Sequence, residues 1–110
     1  MSTLVDIYDT YIKHLLNKIN TNTYNIEDVE YYDVEEIIRN CDSITELFWI
    51  ASDMGFFSYE EYGKLVEEID DSFYYFYQQK LSFKDLKTRI VHFVRMSLIK
   101  FAAKNGLIHG

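Results

Sequence analysis

Three histidines, one cysteine and eighteen carboxylates are the side chains here that can do chemistry, and their spacing decides which chemistry is open to them. His14, His92 and His109 are far apart, and His92 has Arg89 and Arg95 three residues to either side, which suits a surface or half-buried role. No Gly-rich phosphate loop, His-Glu-x-x-His helix, Gly-x-Ser-x-Gly elbow or Glu-x-x-His pair occurs. The acids between Asp28 and Glu36 alternate with other residues but lack the central glycine and terminal glutamate of a calcium loop. Cys41 is the sole cysteine, so the chain can form no internal disulfide and no zinc site built on several of its own cysteines. With no base near it in sequence, it reads as an inert, partly buried thiol. The expectation is a protein that binds and does not catalyse, with no catalytic residue, metal or cofactor.

The carboxylates are the informative group. Residues 24–36 crowd six acids and three tyrosines into thirteen positions with no base among them. Like charges this close repel, so the run calls for free solvation or a cationic partner. The interleaved Tyr24, Tyr31 and Tyr32 favour a partner, because an aromatic ring beside carboxylates suits a hot spot: the charges steer the encounter and the ring supplies the desolvated anchor. The expected contact residues are Glu27, Asp28, Glu30, Tyr31, Tyr32, Asp33, Glu35 and Glu36, with Glu67, Glu68, Asp71 and Tyr75 as a second patch. Proteins with basic clefts are chiefly those that handle nucleic acid. The leading expectation is therefore an inhibitor of a basic protein such as a nuclease, an acidic mimic of nucleic acid occupying the phosphate track. By analogy of composition, such proteins include bacterial immunity proteins, antitoxins and phage-encoded inhibitors of host defence. The run Glu30-Tyr31-Tyr32-Asp33 is similar to the tyrosine-pair-with-acid epitopes of nuclease-colicin immunity proteins, a resemblance confined to those four positions.

Net charge is −7, yet residues 1–79 hold 17 acids against four bases while residues 80–110 hold seven bases against one acid. The late bases do not form one helical stripe: Lys84, Lys87 and Arg95 fall on one side, Arg89, Lys100 and Lys104 on another. A phosphate-binding helix would gather them, so they are expected to flank the core and neutralise acidic neighbours. Direct nucleic-acid binding through this basic segment is the third functional expectation.

Apolar residues recur every three or four positions and predict an all-α bundle of about five helices in a single domain spanning 1–110. The helices are expected at 3–20, 27–41, 44–54, 59–80 and 83–105. Asn20 to Asn25 is rich in side chains that bond local backbone and predicts the first connection. Ser43/Glu46, Ser58/Glu61 and Ser82/Asp85 pair a serine with an acid three residues on, the pattern of a helix start; Phe57/Tyr62 and Leu81/Leu86 add hydrophobic staples to the last two. Gly55 and Gly106 read as stops, with Leu107 folding back onto the last turn. Proline is absent.

The last predicted helix is apolar most of the way round. Beside an inward stripe of Leu86, Ile90, Phe93, Val94, Leu98 and Phe101 it carries Val91, Met96, Ile99 and Ala103, the expected seam of a homodimer if the helix is not central to its bundle. A homodimeric structural or regulatory subunit is thus the second functional expectation. The first residues lack a basic-then-apolar leader, and no apolar run approaches the roughly 18–20 residues of a membrane span, so the expected location is the cytoplasm and no membrane partner is foreseen.

Overall fold

A computed structural model describes residues 4–29 and 33–107, with side chains described from Ile7 onward. Four helices are present, α1 (Leu4–Asp28), α2 (Val34–Asp53), α3 (Tyr59–Tyr77) and α4 (Phe83–Lys104), with no strand among the described residues. The all-α class is as expected, but among the described residues the helices number four where about five were expected. Two predicted breaks are absent, and both fail for the same physical reason.

The first is the connection expected at Asn20 to Asn25, which is helical throughout. Ile12, Leu15, Ile19, Thr23 and Ile26 are all buried on one stripe that runs straight through it. The side chains expected to divert the backbone instead bond one turn back: Thr21, Asn22 and Thr23 donate to the carbonyls of Asn17, Lys18 and Ile19 at 2.8–2.9 Å. The second is the start expected at Ser43, which lies inside α2. Ile37, Cys41, Ile44, Phe48 and Ala51 form an unbroken buried stripe past it.

α1 ends at Asp28 and α2 begins at Val34, both inside the helix expected at 27–41, while the other starts fall where their serine caps predict. Asp33 caps α2 by accepting from the Glu36 N–H at 3.1 Å. Ser58 caps α3 by accepting from the Glu60 and Glu61 N–H groups, and Ser82 caps α4 by accepting from that of Asp85. At the C-termini of α2 and α4, Gly55 (φ +81) and Gly106 (φ +71) take the left-handed conformation, while Phe56 N–H bonds to Ala51 O and Leu107 N–H to Ala102 O. These are Schellman closures, and Leu107 does pack back on the core. α3 stops at Tyr77 and not at 80, closed by the same geometry with Gln79 (φ 60) in the place glycine usually takes.

α1 packs against α2 and α4, and α3 packs against the same two helices. At one end Asn105 Nδ2 donates to Phe56 O at 2.7 Å, tying the end of α4 to the α2–α3 connection. At the other, Lys87 Nζ reaches Val29 O at 2.7 Å, so the start of α4 lies beside the end of α1. Successive helices therefore alternate in direction, giving an up-and-down four-helix bundle of 54 × 26 × 24 Å. One apolar cluster runs through all four helices, closed at the Phe56 end by Phe48, Phe57 and Phe101 with ring centroids 5.0–6.1 Å apart. No helix among the described residues is long and apolar enough to cross a membrane.

Candidate docking surface

The acidic run expected to meet a partner is divided by the fold. Glu27 leaves α1 toward α4, where Arg95 Nη2 lies 2.6 Å from its Oε2. Asp33 is occupied as the α2 cap, and Glu36, half-buried, stands 3.8 Å from Arg39. The neighbouring Asp33 holds the Glu36 carboxyl above its usual range, first by a side-chain hydrogen bond and then by like-charge repulsion. Asp28 and Glu35 are exposed. Glu30, Tyr31 and Tyr32 lie outside the described residues.

In the second expected patch, Glu68 is 3.4 Å from Arg89 Nη2, and the same guanidinium donates from Nε to the buried Ser72 hydroxyl at 2.9 Å. Arg89 also covers the Tyr75 and Phe93 rings, 5.4 and 5.5 Å from their centroids, so Tyr75 is engaged within the molecule. Glu67 is exposed and Asp71 half-buried. With Lys100 3.0 Å from Glu61, three of the late bases are paired to acids of α1 and α3, which is the neutralising role the sequence predicts for them.

On α4, Met96 and Ile99 are 44% and 53% exposed and Ala103 is exposed, but Val91 is only 5% exposed. Val91 belongs to the core cluster and not to an outer seam. Lys84, Lys87, His92 and Arg95 border one hollow between α1 and α4, with Glu27 among them. Lys87 and Arg95 are already spent there on Val29 O and Glu27.

The surface that sequence reasoning missed lies between α2 and α3. A groove of about 400 Å³ is floored by Ile38, Cys41, Val66, Ile69 and Phe73, with Asp42 and Asp70 at its margins. A shallower hollow continues it past Thr45 and Tyr62 to Glu46 and Trp49. At that end Trp49 packs against Tyr59 and Tyr62, with centroids 5.7 and 5.5 Å away, yet Trp49 stays 46% and Tyr59 55% exposed. Tyr59 Oη donates to Asp53 Oδ1 at 3.3 Å; burial, the Asp53 charge and this bond, in that order, raise its phenol above the ordinary value. Tyr77 is 64% exposed at the opposite end.

No Lys, Arg or His lines either hollow, and among the described residues Asp42, Glu46 and Asp70 have no cation within 4 Å. The two bases of these helices are turned elsewhere, Arg39 to Glu36 and Lys64 to Glu60. The signal was present in the sequence but hidden. Asp42, Thr45, Glu46 and Trp49 share a face only when 34–53 is read as one helix, and Tyr59, Tyr62, Val66, Asp70, Phe73 and Tyr77 recur on α3 at the matching spacing.

The groove floor holds one nucleophile, Cys41, and the apolar interior first, then Asp42, pushes its thiol up to about 12. At neutral pH it stays a protonated thiol with little nucleophilic character. Among the described residues no three His, Cys, Asp or Glu side chains gather where they can hold a metal ion. Compared with known proteins, the chain matches no family model, no curated protein and no solved structure.

Proposed function

We propose that this protein is a non-catalytic binding module whose α2–α3 side engages a cationic protein, and that by covering that protein's basic surface it acts as a stoichiometric inhibitor. One observation carries this reading. α2 holds five acids and one arginine and α3 six acids and one lysine, a net −9, and the exposed aromatics Trp49, Tyr59 and Tyr77 lie on the same side. Both bases are already paired within their own helices and, of these acids, the bases of α4 meet only Glu61 and Glu68, so among the described residues most of the surplus negative charge is left to solvent or to a partner. Carboxylates crowded on one side raise the local concentration of a cationic partner and orient it, and exposed rings then give the contact desolvated area. Enzymes that grip nucleic-acid phosphates offer the matching surface, which makes an inhibitor of the immunity, antitoxin or anti-defence kind the specific form of the proposal.

Affinity capture from the source cells tests it, using the parent protein beside an Asp42→Lys/Asp70→Lys variant. The expected result is a basic protein retained by the parent and lost by the variant, whose activity falls to zero at one equivalent of the parent. A partner retained equally by both proteins would overturn the assignment to this side.

The exposure of Met96 and Ile99 favours a second reading, a homodimer joined through the outer face of α4. Light scattering after size-exclusion chromatography separates the two: a dimer dispersed by Ile99→Glu supports the second reading, and a monomer at all concentrations removes it.

A further inference from the structure

We infer that the groove between α2 and α3 is the seat of a single amphipathic helix, about three turns long and carrying lysine or arginine along both edges of its apolar face, supplied by the partner. The inference rests on the proposal of a cationic partner and goes further by giving the bound segment its shape.

The form of the groove selects a helix. Its walls are two α-helices, and no strand among the described residues offers an edge for an extended peptide. A third helix laid between two others sets its side-chain ridge into the furrow they form, the ordinary geometry of helix packing and of helix-in-groove recognition. From Ile38 to Trp49 the α2 wall covers roughly 16 Å at 1.5 Å per residue, which matches three turns of a ligand helix. The apolar floor of Ile38, Val66 and Phe73 asks for aliphatic anchors one turn apart.

Charge selects the flanks. Asp42 and Glu46 stand on the α2 side and Asp70 on the α3 side, none with a cation within 4 Å among the described residues. An acidic ligand helix would meet like charges on both margins, and a neutral one would leave the carboxylates facing its apolar surface. A helix with basic edges lets all three carboxylates pair while its anchors fill the floor. Trp49 and Tyr59 at one end and Tyr77 at the other are all exposed and lie where such a helix would bury them.

Titration of the full chain, followed by amide chemical shifts and Trp49 fluorescence, tests this with three synthetic peptides of about fifteen residues, near four helical turns. The first has leucines on one helical face and lysines on its edges, the second the same composition scrambled around the helix, and the third glutamate in place of lysine. The first is expected to shift the amides of Ile38, Thr45, Val66 and Phe73, to move Trp49 emission to shorter wavelength, and to bind at least about tenfold more tightly than the scrambled form, a hot-spot-scale difference. The glutamate peptide is expected not to bind. Val66→Lys, placed on the half-buried floor, is expected to remove the preference for the first peptide, with circular dichroism confirming an intact bundle. Equal binding of both lysine peptides, with shifts spread over Glu67 and Asp71, would overturn the groove assignment while leaving the cationic partner standing. Failure of both lysine peptides to bind would overturn both. Concentration-dependent broadening of the groove amides without peptide would give the groove to a second copy of this chain and overturn the inference.

Discussion

Arg95 reaches back 68 positions to place its Nη2 2.6 Å from Oε2 of Glu27, and in doing so ties up the first carboxylate of the chain's densest acidic run. Both side chains remain well exposed, at 49% and 37%, so water and salt screen the pair and its worth to stability is about 1 kcal/mol or less. Glu27→Gln is therefore expected to lower the urea-unfolding free energy by no more than that, less at high salt, and to leave partner affinity within about twofold, a fraction of a kcal/mol. Loss of tenfold or more in affinity at unchanged stability would mean that Glu27 breaks from Arg95 to meet the partner.

Asn22 tests the continuity of α1. A connection would accept proline there with little change, whereas a helix interior loses a backbone hydrogen bond and meets a steric clash one turn earlier. Since α1 runs unbroken through this position, Asn22→Pro is expected to cost about 3 kcal/mol or more, measured by chemical denaturation. A cost near zero would restore the break at Asn20 to Asn25.

Why some of this architecture is legible in the sequence and some is not comes down to which free energy is larger. Ser58 and Ser82 mark helix starts because a capping serine acts locally and the buried stripe begins after it. Ser43 carries the same sign with Glu46, but a cap contributes about 1 kcal/mol, while Ile44 and Phe48 just beyond it contribute roughly 1.5–3 kcal/mol each by staying in register with Ile37 and Cys41. Burial prevails, and the helix passes through. Thr21, Asn22 and Thr23 lose to Ile26 in the same way. The all-α class rests on the repeat of three and four, which tertiary contacts reinforce. The crowding of acids is equally plain in the composition, but which of them stay free depends on contacts such as Arg95 with Glu27 and Arg89 with Glu68, set by helix packing and invisible to local spacing. The α2–α3 groove was hidden for a related reason: a break between 41 and 44 leaves Asp42 in a connection, off the helix that carries Trp49, and dissolves the shared face.

Gln79 marks a place where the chain accepts strain. Its φ of 60 puts a side-chain-bearing residue in the left-handed region, in the position that Gly55 and Gly106 fill at the ends of α2 and α4. The left-handed conformation costs a residue with a Cβ about 1–2 kcal/mol, and glycine returns part of the gain through its freer unfolded chain. Gln79→Gly is thus expected to stabilise the bundle by about 0.5–1 kcal/mol, seen as a higher denaturation midpoint at unchanged slope. A destabilised variant would show that the Gln79 side chain makes a contact worth more than the strain.

Cys41 sits at 3% exposure on the core side of α2, with its thiol pushed up to about 12 from 9.0 by the apolar interior first and by Asp42 second. In the unfolded chain the thiol ionises near its ordinary value, so between pH 9 and about 12 the unfolded state holds fewer protons than the folded state. The sign follows: below pH 9 the thiol is protonated in both states and exerts no pull, and as pH rises through this window its ionisation increasingly favours unfolding. Cys41→Ala removes this contribution and leaves a small cavity in its place, which lowers stability at neutral pH. The denaturation midpoints of parent and variant, measured at steps from pH 8 to 11, are therefore expected to converge as pH increases. Alkylation supplies a second check, because a thiol that is both buried and protonated reacts only when the bundle opens. Iodoacetamide at pH 8 is expected to label Cys41 at the rate of unfolding, accelerating in urea, and labelling as fast as a free thiol in native buffer would show that the sulfur is reachable from the groove without opening the bundle.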